Sequence, residues 1–96
     1  SKNNKARPTL VVGFSAETEN IIENSTLKLK QKYCDFIIAN DVSKKNYGFN
    51  VNFNKVSIIE KNGKIEKIPR NKKSFIASVL TKRIMEKFLS RTKKNH

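Results

Sequence analysis

Two lysines, Lys28 and Lys32, stand four residues apart in a stretch with helical periodicity. That spacing sets two ammonium groups one turn apart on one face, where together they can reach a polyphosphate. The same spacing is also ordinary on a solvated helix face, and pattern alone leaves both readings open. Upstream, Gly13 and Phe14 close an apolar run. A glycine there lets backbone approach a ligand closely, and the start of the following helix presents unpaired N–H groups suited to an anion. Asn40 and Asp41 end a second apolar run, where they can rim a pocket or simply close the strand as an Asx turn. Phe14, Phe49 and Phe53 could stack on a base, although phenylalanines more often pack in cores.

Other chemistries lack their parts. Cys34 has no histidine near it, because the one histidine is His96, so a thiol nucleophile has no adjacent base. There is no glycine-rich phosphate loop, no paired His/Cys metal spacing and no nucleophile elbow. No metal ligand and no catalytic residue is therefore assigned. A single cysteine also excludes an internal disulfide, which suits a reducing cytoplasm. No apolar stretch approaches the roughly 20 residues of a membrane span, and nothing near Ser1 reads as a signal peptide.

The elements that must position these residues follow from the periodicity. Thr9 to Phe14 reads as a strand buried on both faces. Ser15 and Thr18 are candidate helix caps, with Glu17 and Glu19 in a first turn. Ile21, Ile22, Ser25, Leu29 and Tyr33 then recur at helical spacing, and Lys28 and Lys32 share a stripe with Glu17 and Asn24. Asp35 to Ala39 is a second short strand, so the first half reads as a βαβ unit with a right-handed crossover. After a polar loop from Ser43 to Asn54, two strands flank Asn62-Gly63, a favoured pair for a tight turn in which both residues take positive φ. Pro69 is expected to end the hairpin, and Asn71 or Ser74 to start a final helix. Its apolar stripe runs Phe75, Ile76, Val79, Leu80, Ile84, Phe88, Leu89. Residues 1–7 and 91–96 are polar and expected to be disordered. The fold class is α/β: a Rossmann-like open-sheet segment, a βαβ unit followed by a β-hairpin and a C-terminal helix. One sheet edge would be bare, which invites pairing with another chain.

The formal charge of +13 raises the alternative of a basic nucleic-acid-binding module. Residues 1–48 carry 8 basic and 5 acidic groups, whereas residues 49–96 carry 13 and 3. Of the 21 basic residues, 17 are lysine and 4 arginine, beside 12 asparagines and 10 isoleucines. That combination follows A/T-rich coding, and arginine, which reads guanine and clamps phosphate with two prongs, is scarce. The charge therefore argues weakly for nucleic acid.

The strings add a resemblance. Residues Pro8 to Asn20, with Val12-Gly13-Phe14-Ser15-Ala16-Glu17-Thr18 at their centre, resemble the strand–helix signature of the phosphopantothenate–cysteine ligase family. The match continues through Lys28 and Lys32, through Asp35-Phe36-Ile37-Ile38-Ala39-Asn40-Asp41-Val42, and through Gly48-Phe49 into the hairpin and final helix. In bacteria such a ligase is the C-terminal domain of a bifunctional decarboxylase/ligase flavoprotein. The resemblance implies activation of 4′-phosphopantothenate by CTP, with Mg²⁺, through an acyl-cytidylate, then amide formation with cysteine. It implies nucleotide contacts for Phe14, Lys28 and Lys32; Gly13, Asn40 and Asp41, at the carboxyl ends of the two strands, are the secondary candidates for the pocket rim. It also implies that residues 1–96 are about the second half of one ligase domain, inactive alone, with FMN confined to the decarboxylase part. A homodimer or larger assembly in the cytoplasm is the expected setting. Where the family carries acidic residues after glycine–phenylalanine, this chain has Asn50-Val51-Asn52-Phe53-Asn54.

Overall fold

A computed structural model describes residues 10–43 and 53–94, the last four as helix backbone only. Residues 1–7 and Phe49, for which expectations were given above, lie outside them. The chain runs β1 (Val12–Glu17), α1 (Ile21–Gln31), β2 (Phe36–Asp41), β3 (Phe53–Glu60), β4 (Ile65–Lys72) and α2 (Lys73–Lys94). One sheet has the order β1-β2-β3-β4; β1 and β2 are parallel, and the other two pairings are antiparallel. This is the expected βαβ unit, hairpin and terminal helix.

The helices cover opposite faces. Phe36, Ile38, Val56, Ile58 and Ile68 pack on Ile76 of α2, with Val79, Leu80 and Ile84 alongside. Ile37, Ala39 and Ile59 face the other way, onto Leu29 of α1 and Cys34, with Ile21 and Ile22 beside them. Because β2 is central and covered on both sides, four successive residues, Phe36 to Ala39, are buried, which is why it reads as a continuous apolar run.

Strand β1 does not stop at Phe14. Ser15 and Glu17, expected at a helix start, are strand residues whose side chains turn toward α1. The Ser15 hydroxyl lies 2.9 Å from that of fully buried Ser25, and Glu17 accepts a 2.7 Å hydrogen bond from Lys28. A polar residue is tolerated on a covered face when it finds such a partner, so the parallel register with β2 persists to Glu17 opposite Asp41. The helix then starts at Ile21, behind Asn20 at φ 47° and with no side-chain cap. Neither Ser15 nor Thr18 caps it.

Helix α1 closes with a Schellman motif. The Cys34 N–H donates to the Leu29 carbonyl and the Tyr33 N–H to the Lys30 carbonyl, while Tyr33 takes the left-handed φ of 54°. The β3–β4 connection is a three-residue loop: Glu60 N–H donates to the Lys64 carbonyl and Gly63 N–H to the Glu60 carbonyl. Gly63 alone there has positive φ, so the expected two-residue Asn-Gly turn is replaced by a longer loop with glycine in its left-handed position.

Pro69 does not end the hairpin. Val56 pairs with Ile68 and Asn54 with Asn71, which leaves Pro69 and Arg70 opposite the single residue Lys55. A bulge on an edge strand accommodates a proline, since no neighbour needs its missing N–H. Helix α2 follows directly and continues to Lys94, so the segment expected to be a disordered tail is helical as far as that residue. Of its expected apolar stripe, Phe75, Phe88 and Leu89 are about half exposed. The helix is tied to the hairpin by Arg83, whose guanidinium holds both Glu66 oxygens at 2.8 and 2.9 Å, and by Lys87 with Glu60 at 2.6 Å. No helix among the described residues is long and apolar enough to cross a membrane.

Candidate functional site

The carboxyl ends of parallel strands are where ligands bind in open α/β sheets, and here those ends are Glu17 and Asp41. Lys28 rises from the last turn of α1. Helical side chains slant toward the helix N-terminus, so its ammonium reaches back to the end of β1 and meets Glu17 at 2.7 Å. The Glu17 side chain is 8% exposed and that of Lys28 is 40% exposed. The carboxylate is thus enclosed, while the ammonium keeps an open side. Lys32 lies one turn further from the strand end, at the helix C-cap, and is exposed.

Phe14 occupies the other face. Alternation along β1 sends Ser15 and Glu17 toward α1 and Phe14 away from it, with the Phe14 residue 60% exposed. No strand pairs with the far edge of β1 among the described residues. A ligand touching Phe14 and Lys28 together must therefore pass around that open edge.

Gly13 has a packing reason independent of any ligand. A Cβ built on it would sit 2.7 Å from the Cys34 sulfur and 3.3 Å from Ile37 Cγ1. Asn40 acts as a brace: its amide nitrogen donates to the Ser15 carbonyl at 3.3 Å, and its oxygen accepts from Asn54 at 3.0 Å. Asp41 accepts from the Ser43 N–H at 2.9 Å, the Asx-turn geometry, and lies 3.9 Å from the Lys55 ammonium. It also lines an open cleft of about 380 Å³ with the start of α1 (Asn20 to Glu23), Lys55, Ser57 and Lys67. Asn40 is not among its lining residues.

The structure thus gathers Glu17 with Lys28, and Asp41 with Lys55. It leaves Phe14 on one face and Lys28 on the other, with Lys32 at the C-cap of α1. Sequence reasoning missed the strand role of Glu17 and the presence of Lys55 and Lys67 at the cleft. The signal for Glu17 was the alternation of Gly13, Ser15 and Glu17 with Phe14 and Ala16, a period of two rather than 3.6. Phe53 carries the Arg70 guanidinium 4.9 Å from its ring centroid, so that face is already occupied. No group of three or more His, Cys, Asp or Glu side chains suited to a metal occurs among the described residues.

The chain has sequence relatives, and a solved structure shares its architecture. The chain is 40% identical over 81 residues to the coenzyme A biosynthesis bifunctional protein CoaBC of Borreliella burgdorferi, covering 83% of this chain and 20% of that protein. It is 35% identical over 78 residues to the Escherichia coli K12 protein of the same name, covering 81% and 19%. A cysteine/cysteine sulfinic acid decarboxylase from an unknown prokaryotic organism is 33% identical over 81 residues, covering 84% and 23%. The chain therefore spans about a fifth of the length of these relatives. The crystal structure of the C-terminal domain of a CoaBC protein superposes with a TM-score of 0.66 at 30% identity, covering 85% of this chain and 36% of that one. Residues 1–88 match the family model of the DNA/pantothenate metabolism flavoprotein C-terminal domain, and the chain belongs to that family.

Proposed function

We propose that this chain forms the second half of a phosphopantothenate–cysteine ligase domain acting in cytoplasmic coenzyme A biosynthesis. The substrate carboxylate attacks the α-phosphorus of CTP, pyrophosphate leaves, and an acyl-cytidylate results. The amine of cysteine then attacks the acyl carbon, CMP leaves, and the amide of phosphopantothenoylcysteine is formed. The observation that carries this reading is Lys28. It is one of the three nucleotide positions retained in the family signature, and its ammonium sits half-open at the carboxyl end of β1. A lysine–phosphate contact is a charge-assisted hydrogen bond worth roughly 1.5–3 kcal/mol. Lys32 on the same helix extends the reach along a triphosphate, and Phe14 offers an exposed ring at the edge of the same strand.

No group of three or more His, Cys, Asp or Glu side chains suited to a metal gathers among the described residues, and in this reading Mg²⁺ comes with the triphosphate. FMN belongs in this reading to a separate decarboxylase part. The unpaired edge of β1 is where the upstream half of the domain would dock, and self-association of the completed domain is part of the proposal.

The test is product formation by the chain joined to the upstream part of a ligase domain. Phosphopantothenoylcysteine, CMP and pyrophosphate in equal amounts, formed with CTP and not with ATP, is the expected result. No amide product, or nucleoside diphosphate and inorganic phosphate instead, would overturn it. The alternative of a nucleic-acid role finds neither described arginine side chain free to read a base or clamp a phosphate, because Arg83 is held by Glu66 and Glu86 and Arg70 lies over Phe53.

A further inference from the structure

Glu17 is 6% exposed at the residue level and sits at the last position of β1, on the covered face beside the buried Ser15–Ser25 pair. A carboxylate enclosed there has to be matched, and its described partner is Lys28 at 2.7 Å. The lysine comes from eleven positions along the chain, across the strand–helix turn, and its long flexible stem would otherwise sample many directions from a half-buried position on the helix. We infer that Glu17 is a positioning residue for nucleotide binding: it anchors the Lys28 ammonium at the carboxyl end of β1, with its open side presented to an incoming phosphate.

An ammonium has three N–H groups. One is spent on Glu17, and the others remain for phosphate oxygens, so the carboxylate orients the lysine without displacing the ligand. Lys32 has no such anchor among its described contacts and serves as the adaptable member of the pair. This inference rests on the nucleotide role proposed above for Lys28.

The experiment is a double-mutant cycle in the chain completed by the upstream part of a ligase domain, with steady-state kinetics in CTP and in cysteine. Lys28→Gln should raise KM for CTP about 10- to 100-fold, the loss of one charged contact. Glu17→Gln, which keeps the shape and one acceptor oxygen, should raise it about 3- to 10-fold, leaving kcat and KM for cysteine within about twofold. The double variant should be no worse than Lys28→Gln alone, because two residues acting through one contact are not additive. Glu17→Asp, which draws the carboxylate back by one methylene, should fall between parent and Glu17→Gln, and it supplies this arm if the glutamine variant does not fold.

An unchanged KM for CTP in Lys28→Gln would refute the nucleotide role of the lysine itself. A weakened Lys28→Gln combined with an inert Glu17→Gln, or with additive effects in the double variant, would refute the positioning role and leave the nucleotide reading standing. A Glu17→Gln loss spread equally over CTP, cysteine and kcat would also refute it, as that is the mark of a merely structural residue.

Discussion

Gly13 and Phe14 are neighbours in β1, yet the structure gives each a different kind of dependence. Phe14 is exposed, so Phe14→Ala should leave stability within about 0.5 kcal/mol of the parent. If its ring contacts the nucleotide, the same variant should raise KM for CTP; chemical denaturation and kinetics on one sample separate the two effects. Gly13→Ala should behave in the opposite way. Its new methyl group meets the Cys34 sulfur at 2.7 Å, and overpacking of this kind costs roughly 1–3 kcal/mol, readable as a lower urea midpoint. A Gly13→Ala variant of parental stability would show that Cys34 has room to turn away. Both residues were legible in the sequence as a closing pair. Their separate reasons were not, because the contact with Cys34 joins residues 21 positions apart. Glu17 was misplaced for a related cause: an acidic residue after Ser15 and before an amphipathic stretch looks like a first helical turn until its partner is known.

At the scale of elements, the pattern was read well wherever burial was two-sided or strictly periodic. Strand β2, with Ile37 and Ala39 facing α1 and Phe36 and Ile38 facing α2, follows from its unbroken apolar run. The core stripe of α2 follows from Ile76, Val79, Leu80 and Ile84. Ile76→Ala should therefore cost about 2–5 kcal/mol, whereas Phe75→Ala, on the half-exposed side of the same turn, should cost far less. Boundaries set by tertiary partners were harder to see. Pro69 is a stop signal by local chemistry, but an edge strand with a bulge absorbs it. Tyr33 occupies a left-handed C′ position, normally given to glycine. Tyr33→Gly should consequently raise stability by about 0.5–1 kcal/mol, since the ring is exposed and carries little packing; a lower unfolding midpoint would contradict the role assigned to the φ.

The attachment of α2 to the hairpin adds a pH dependence at the same scale. The Arg83 guanidinium, hydrogen-bonded to Glu66, holds that carboxyl below its ordinary value near 4.5. A carboxyl whose folded pKa is depressed stabilises the fold above its unfolded pKa, and the contribution is lost as pH falls through the folded value. Stability should thus lose the Glu66 contribution below about pH 4.5. Glu66→Gln should flatten that part of the acid profile while leaving nucleotide binding unchanged, because the pair lies on the α2 side of the hairpin, away from the ends of β1 and β2.

For the whole molecule, the outer edge of β1, open among the described residues, carries the most weight. It was expected from the inventory of elements, and it separates Phe14 from Lys28 and Lys32 by the thickness of one strand. A site built from all three needs matter on that edge, and the chain spans about a fifth of the relatives' length. Side-chain direction made this legible only in the structure: spacing along the chain places Phe14 and Lys28 near one strand end, and the pleat places them on opposite faces.

The most direct test of this account is calorimetric titration of CTP in the presence of Mg²⁺ into this chain alone and into the chain joined to the upstream part of a ligase domain. The account predicts binding by the joined form only, selective for CTP over ATP. Equal binding of CTP and ATP, or none by either form with salt-sensitive binding to a DNA duplex in its place, would contradict it.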